Sequence, residues 1–277
     1  MKKWISCYLK NQLKSCNKEA LPKLIKFVEA SRQELFDAKK EYDNLVKKTL
    51  QINDISFATL VNFQFPDFTF NLNAFYNIEN GELSKCQFDP KTCTDQFEAL
   101  ISEIESIQVE FKQLRIKYEQ ISELIENLKN YYEKQLNSDD IYCKFGIDRS
   151  DQLMCLVYNF NVDISKVNTL YVYYGSRFNT RMFLNYNAMG QLFISDFKSD
   201  ISRQGHGTFV LEELPIIVDE INNRIKKNKY CNILQTDIIP LITGEIVPDN
   251  TISEEELIRF YSKHGYITNN ILYKRVP

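Results

Sequence analysis

The chain has 277 residues, of which 44% are hydrophobic and 26% are charged. That length admits one large domain or two ordinary ones, and the apolar content is enough for a buried core, so we expect two domains. The formal net charge of -3 gives no overall attraction to nucleic acid or to an anionic membrane. We therefore expect neither as a partner.

The cysteines and the apolar runs bear on the compartment. The seven cysteines are an odd number without a Cys-x-x-Cys pair, which is typical of reduced thiols in a cytosol. Cys86 and Cys93 are close in sequence, but neither histidine lies near them, so free thiols are favoured over a metal site. The N-terminus does not resemble a signal peptide, and the uncharged run at 55–66 is too short for a membrane helix. We expect a soluble cytoplasmic protein.

Two long segments of the first half carry apolar residues at every third or fourth position, which is the spacing of a helical seam. The first runs from Leu21 to Ile52 and the second from Phe97 to Tyr132. The simplest arrangement is a coiled-coil hairpin of two antiparallel helices, forming an arm over residues 1–137. The alternative is parallel self-association of the longer helix, because aromatic residues at seam positions do not specify the number of strands.

An aromatic-rich insertion at about residues 54–91 separates the two helical segments. Its phenylalanines alternate with polar residues, which predicts short strands or a compact aromatic cap. Two interpretations remain open: a recognition surface at the hairpin tip, or rings that fill a small satellite core. Turn-forming residues at 137–140 then end the helical pattern, so we place a domain boundary near residue 138.

Residues 138–277 show a strand pattern that ends in helices. Candidate strands lie at 152–159, 170–174, 181–185 and 191–198, and an amphipathic helix runs from Thr208 towards Lys227. Pro215 removes one backbone hydrogen bond and is expected to kink or divide this helix. A capping box of Ser253 and Glu256 marks the start of the final helix. The fold class is therefore α+β, with a mixed-sheet α/β domain after the helical arm.

A glycine-rich motif stands between the strand at 192–197 and the amphipathic helix. Its residues are Arg203, Gln204, Gly205, His206, Gly207 and Thr208. Glycines that end a strand and open a helix let bare amides approach an anion at the helix N-terminus, although ordinary strand-to-helix turns also use glycine. The motif predicts an anionic cofactor. We expect the imidazole of His206 to face solvent or phosphate rather than to act as a base.

This motif, the strand at 242–247 and the turn at 260–266 together resemble the GNAT superfamily of acyl-CoA N-acyltransferases, over residues 188–277. The family signature is Q/R-x-x-G-x-G/A between a strand and a helix, then a strand, then a helix ending in a Y-x-K-x-G-F-like turn. The resemblance implies that amides from Arg203 to Thr208 hold the pyrophosphate of acetyl-CoA. It also implies that the strand at 242–247 flanks the pantetheine arm, and that Tyr261 protonates the departing thiolate.

The resemblance implies direct attack of an unidentified amine acceptor on the thioester, and two carboxylates are candidate bases. Glu245 lies on the strand expected to flank the cofactor, and Asp196 lies near the end of the strand before the glycines. The alternative function is a scaffold that kept the fold without turnover and uses the coiled coil for self-association or partner docking. It is favoured by Pro215 and by Ser202, which stands where the family has Gln or Arg.

Overall fold

The structure is a computed structural model. It describes residues 20–51, 94–134, 141–160, 167–175, 177–186, 190–200, 203–227, 238–248, 252–269 and 271–276. The aromatic-rich insertion at 54–91 lies outside these residues, and its two interpretations remain predictions.

Two long helices form the first part of the structure: α1 (Ala20–Gln51) and α2 (Thr94–Glu133). The apolar seam predicted from the sequence is buried along α1 and along much of α2. Val28 and Leu35 of α1 pack with Ile107 of α2 in one cluster. The periodicity therefore identified the buried face of each helix.

The two helices run in the same direction, so the predicted antiparallel hairpin is wrong for these residues. Arg32 pairs with Glu103 and Lys39 pairs with Glu110, and both pairs are separated by 71 residues. In an antiparallel pair the separation would change as one moves along the helix. The chain from 52 to 93 has 42 residues, and its extended reach of roughly 140 Å is ample to return beside a helix about 48 Å long.

The described residues divide into two compact units. The first contains residues 20–45 and 94–118, and the second contains residues 46–51 and everything described from 119 onwards. The ion pairs and the Val28 cluster belong to the first unit. The second unit holds the sheet.

An eight-stranded mixed sheet organises the second unit in the order β1-β2-β3-β4-β5-β6-β8-β7. Only β5 and β6 are parallel neighbours; the other adjacent strands are antiparallel. The strands are β1 (Ile141–Ile147), β2 (Leu153–Asn159), β3 (Asn168–Tyr174), β4 (Arg177–Tyr186), β5 (Leu192–Ser199), β6 (Leu241–Gly244), β7 (Ile267–Asn269) and β8 (Ile271–Arg275). The predicted strands are present, the α+β class is confirmed, and β1, β7 and β8 are additions.

Helix α3 (His206–Lys226) connects β5 to β6 and packs its apolar side into the core. Pro215 lies inside this helix without dividing it, so that part of the prediction is wrong. The neighbouring Leu214 and Ile217 are fully buried, and this burial outweighs the loss of one backbone hydrogen bond.

The last helix, α4 (Glu254–Lys263), begins with the predicted capping box. The Ser253 hydroxyl accepts from the amide of Glu256, and the Glu256 carboxylate accepts from the amide of Ser253. None of the helices in the described ranges is both long enough and apolar enough to cross a bilayer.

A β-bulge in β5 changes which side chains face the helices. Leu184 pairs with Ile194, but the preceding Phe183 pairs with Asp196, so Ser195 is the extra residue. Beyond the bulge Phe197 pairs with the buried Met182 and packs against the core. Simple alternation would have placed Phe197 on the other face from Ile194.

Candidate functional site

The glycine turn, residues 203–208, leads into α3 and contains two residues with a left-handed backbone. Gly205 has φ of 93° and is the N-cap residue, and Arg203 has φ of 64°. The first intrahelical bond runs from the amide of Phe209 to the carbonyl of Gly205, at 3.0 Å. The amides of residues 206–208 therefore precede the helical ladder, and no side chain in the described part of the chain caps the helix.

The turn between β1 and β2 braces the glycine turn. The Arg149 amide donates to the Gln204 carbonyl at 3.0 Å, and the Arg149 guanidinium donates to the Arg203 carbonyl at 3.2 Å. The Ser150 hydroxyl donates to the Gln204 side-chain oxygen at 2.8 Å. The sequence analysis missed Arg149, because no spacing pattern connects it to a motif 54 residues away.

Arg149 also lies over the first glycine. A Cβ on Gly205 would stand 3.6 Å from the Cγ atom of Arg149. That is an ordinary contact, so the positive φ rather than crowding makes glycine necessary at this position. A second cation, Arg149, thus joins Arg203 beside the turn.

The His206 side chain is buried, and the prediction that it faces solvent or phosphate is wrong. Its Nε2 atom lies 3.6 Å from the Asp148 carboxylate, and its ring lies 5.4 Å from the Tyr174 ring. Asp148 accepts from the amides of Ser150 and Gln152, so the carboxylate is fixed within its own turn. Burial lowers the pKa of His206, and the neighbouring Asp148 opposes that shift only in part.

Two phenylalanines cover the second glycine. A Cβ on Gly207 would stand 3.1 Å from the Phe260 ring and 3.5 Å from the Phe197 ring. The bulge at Ser195 brings Phe197 to this side of the sheet, and α4 supplies Phe260. Gly207 therefore serves close packing at the start of the helix, while Thr208 beside it is half-buried.

Tyr261 and Asp196 are the predicted catalytic residues that the structure places near each other. Tyr261 is buried, with ring contacts to Phe260 and Tyr266. Burial raises the pKa of Tyr261 to about 12, and the negative charge of Asp196 adds to that shift. The phenol is thus protonated at neutral pH. Asp196 also lies 3.2 Å from the ammonium of Lys198.

Glu245 is in a different setting. The strand predicted at 242–247 ends at Gly244 in β6, so Glu245 follows the strand instead of lying within it. Its side chain is exposed.

The parallel strands β5 and β6 stop pairing where β6 ends, at Gly244. They pair only from Leu192 with Ile242 to Ile194 with Gly244, although β5 continues to Ser199 along β4. Carboxyl ends of parallel strands, next to the start of the connecting helix, are a common place for ligands in α/β sheets. Phe197 and Asp196 lie on the part of β5 that does not pair with β6.

A metal centre does not emerge from this arrangement. Within the described ranges no group of three or more His, Cys, Asp or Glu side chains could hold a metal ion.

Comparisons with known proteins add little to this geometry. A scan against models of known families gives no match, and a search of curated proteins gives none either. Among solved structures the chain is similar to a putative streptothricin acetyltransferase from Bacillus anthracis str. Ames in complex with acetyl coenzyme A, with 14% identity and a TM-score of 0.26. The likeness covers 52% of this chain and 90% of that one. A TM-score this low supports no conclusion about this chain.

Proposed function

We propose that the protein is an acetyl-CoA-dependent N-acyltransferase that transfers an acyl group to an amine. The observation that carries the proposal is the glycine turn, which opens α3 after β5 and has no side-chain cap among the described residues. Amides and helix dipole both favour an anion there, and a pyrophosphate suits them. The proposed cofactor-binding residues are Arg203, Gln204, Gly205, His206, Gly207 and Thr208, the histidine through its amide alone.

The edge of β5 beyond Ile194 is the proposed place for the pantetheine arm. From Ser195 to Ser199, β5 pairs with β4 but not with β6. An extended chain with amide groups can pair with a free strand edge as another strand would. The arm would lead from the glycine turn towards Tyr261.

Tyr261 is the proposed general acid. A neutral amine attacks the thioester carbonyl carbon, so a C–N bond forms, the C–S bond breaks, and the sulfur leaves as a thiolate that needs a proton. Tyr261 holds a proton at neutral pH because its pKa is raised to about 12. The attacking nitrogen loses its proton to a base, for which Asp196 beside Tyr261 is the first choice and the exposed Glu245 the second.

The scaffold function remains the second candidate, because one observation favours it. Phe197 and Phe260 already cover Gly207, and Arg149 already lies over Gly205. A turn packed in this way is suited to holding the fold together. In that case the helices α1 and α2 would carry the function, through self-association or docking of a partner.

Calorimetric titration with desulfo-CoA, which lacks the thiol and cannot turn over, tests the cofactor site. We expect saturable binding to the unaltered protein and at least about tenfold weaker binding to Thr208→Glu, because a carboxylate beside a pyrophosphate repels it. A carboxylate in the first turn of a helix suits the dipole, so the variant should fold.

The matched control is Ile216→Glu, which adds the same charge at an exposed position of the same helix. Its affinity should equal that of the unaltered protein. Equal affinity in Thr208→Glu would remove the glycine turn from the site. No binding to the unaltered protein would favour the scaffold.

A further inference from the structure

Two thiols touch on neighbouring strands of the sheet. Cys143 lies on β1 and Cys155 on β2, both are free, and their Sγ atoms are 3.1 Å apart. In the antiparallel register Cys143 pairs with Val157, and Cys155 pairs with Phe145. The two cysteines are therefore diagonal neighbours on one face of the sheet.

This placement suits a covalent bond between the sulfurs. A disulfide has about 2.05 Å between its sulfur atoms. The thiols are about 1 Å from that distance, and both side chains already lie on the same face. Neither strand has to change its register for the bond to form.

Neither metal binding nor polar pairing explains the contact between the two thiols in the described residues. The pair is not half of a metal site, since no group of three metal-ligating side chains occurs in the residues that the structure describes. As polar groups, thiols are weak donors and acceptors and do not need each other to be buried. Cys155 also approaches the Leu156 carbonyl at 3.6 Å.

The two thiols differ in access. Cys155 is fully buried, whereas Cys143 is half-buried. An oxidant in solution therefore reaches Cys143 first. Burial raises the pKa of Cys155, and contact with Cys143 raises it further, so Cys155 holds its proton more tightly than an exposed thiol does.

We propose that Cys143 and Cys155 are a redox modification site that forms a reversible disulfide on exposure to a peroxide. The Cys143 sulfur attacks one peroxide oxygen, the O–O bond breaks, and Cys143 becomes a sulfenic acid as the first water leaves. The Cys155 sulfur then attacks the sulfenic sulfur, the S–O bond breaks, and the Cys155 proton leaves with the oxygen as a second water. Hydrogen peroxide gains the two electrons that the two thiols lose.

The disulfide would fasten the edge strand of the sheet to its neighbour. Among the described strands β1 pairs with β2 alone, and the turn between them carries Arg149 onto the glycine turn. Oxidation would therefore restrain the hairpin that braces this turn. The proposal does not depend on acyl transfer, because the contact between the thiols stands by itself.

Peptide mapping of the unaltered full-length protein tests the proposal. The reduced protein is exposed to equimolar hydrogen peroxide, free thiols are alkylated, and the chain is digested with trypsin. Cleavage after Lys134, Lys144, Arg149 and Lys166 puts the two cysteines on separate peptides, 135–144 and 150–166. We expect these peptides linked, with a mass two hydrogen atoms below their sum, and released by dithiothreitol.

Two variants check the order of the steps. In Cys155→Ser the reaction should stop at the sulfenic acid of Cys143, which dimedone traps. In Cys143→Ser the thiol of Cys155 should stay reduced at the same peroxide concentration. Oxidation of other cysteines while peptides 135–144 and 150–166 stay unlinked would overturn the proposal, as would linkage that forms only in concentrated urea.

Discussion

At the scale of single residues, the chemistry depends on the phenol of Tyr261. We expect Tyr261→Phe to lower turnover by about 100-fold or more, because loss of a general acid typically costs that much. Binding of acetyl-CoA should be retained, because the hydroxyl acts on the leaving sulfur. Thiol release in the presence of a panel of primary amines measures turnover, and calorimetry measures affinity.

Tyr266→Phe is the matched control for this prediction. The Tyr266 hydroxyl is buried and has no hydrogen-bond partner among the described residues, and its ring contacts that of Tyr261. Removing it should leave turnover near that of the unaltered protein. Equal turnover in Tyr261→Phe would take Tyr261 out of the mechanism.

His206 should make stability depend on pH. Because its folded pKa lies below the unfolded value of 6.5, the unfolded chain binds more protons as the pH falls, and the free energy of unfolding decreases. His206→Gln should remove this dependence, which is at most about 1.4 kcal/mol per pH unit for one proton. Urea unfolding between about pH 7.5 and pH 5 measures the slope.

His264→Gln controls for the other histidine, whose pKa is also lowered by burial but which is only half-buried. We expect a smaller change of slope in this variant. If His206→Gln and the unaltered protein lose stability in parallel with falling pH, the buried imidazole does not have the assigned role.

The sequence pattern predicted the backbone conformation at Gly205 better than it predicted the surroundings of the His206 side chain. Gly205 was predicted from its place between a strand and a helix, and its positive φ agrees. The surroundings of His206 were not predictable, because its neighbour Asp148 is 58 positions earlier in the chain. No local spacing rule connects two such residues; only the folded hairpin brings them together.

At the scale of elements, the direction of α1 against α2 has a direct test in the unaltered protein. With a constant offset of 71 residues, Lys40 lies opposite residue 111, next to Lys112. Lys26 lies opposite residue 97, twenty residues or about 30 Å from Lys117. We expect a short amine cross-linker to join Lys40 to Lys112.

The antiparallel arrangement makes the opposite prediction. With Gln51 opposite Thr94, Lys26 would lie opposite residue 119 and close to Lys117. A cross-link from Lys26 to Lys117 within one chain, identified by mass spectrometry, would therefore contradict the parallel arrangement.

The helices and β5 also show which features the apolar pattern of the sequence could not predict. Apolar spacing gave the buried faces of α1 and α2, because burial imposes that period. It carried no information on direction, because either direction buries the same faces. In β5 alternation held up to Ile194 and then failed, because the extra residue Ser195 moves Phe197 to the core side.

At the scale of the whole molecule, the proposed activity requires four separate parts of the chain to meet at one place. The end of β5, the start of α3, the end of α4 and the turn between β1 and β2 are adjacent around the glycines. Three of these were predicted from the glycine motif and its resemblance to acyltransferases. The β1–β2 turn was not, since its contacts join residues 54 or more positions apart, which no local pattern connects.

Hydrogen–deuterium exchange with and without acetyl-CoA is the most direct test of the proposed cofactor site, because it locates binding on the unaltered protein. We expect slower exchange of the amides at 203–208 and at 195–199 when acetyl-CoA is present, since the pyrophosphate would cover the first segment and the pantetheine arm would pair with the second. Binding of acetyl-CoA with protection confined to other segments would contradict it.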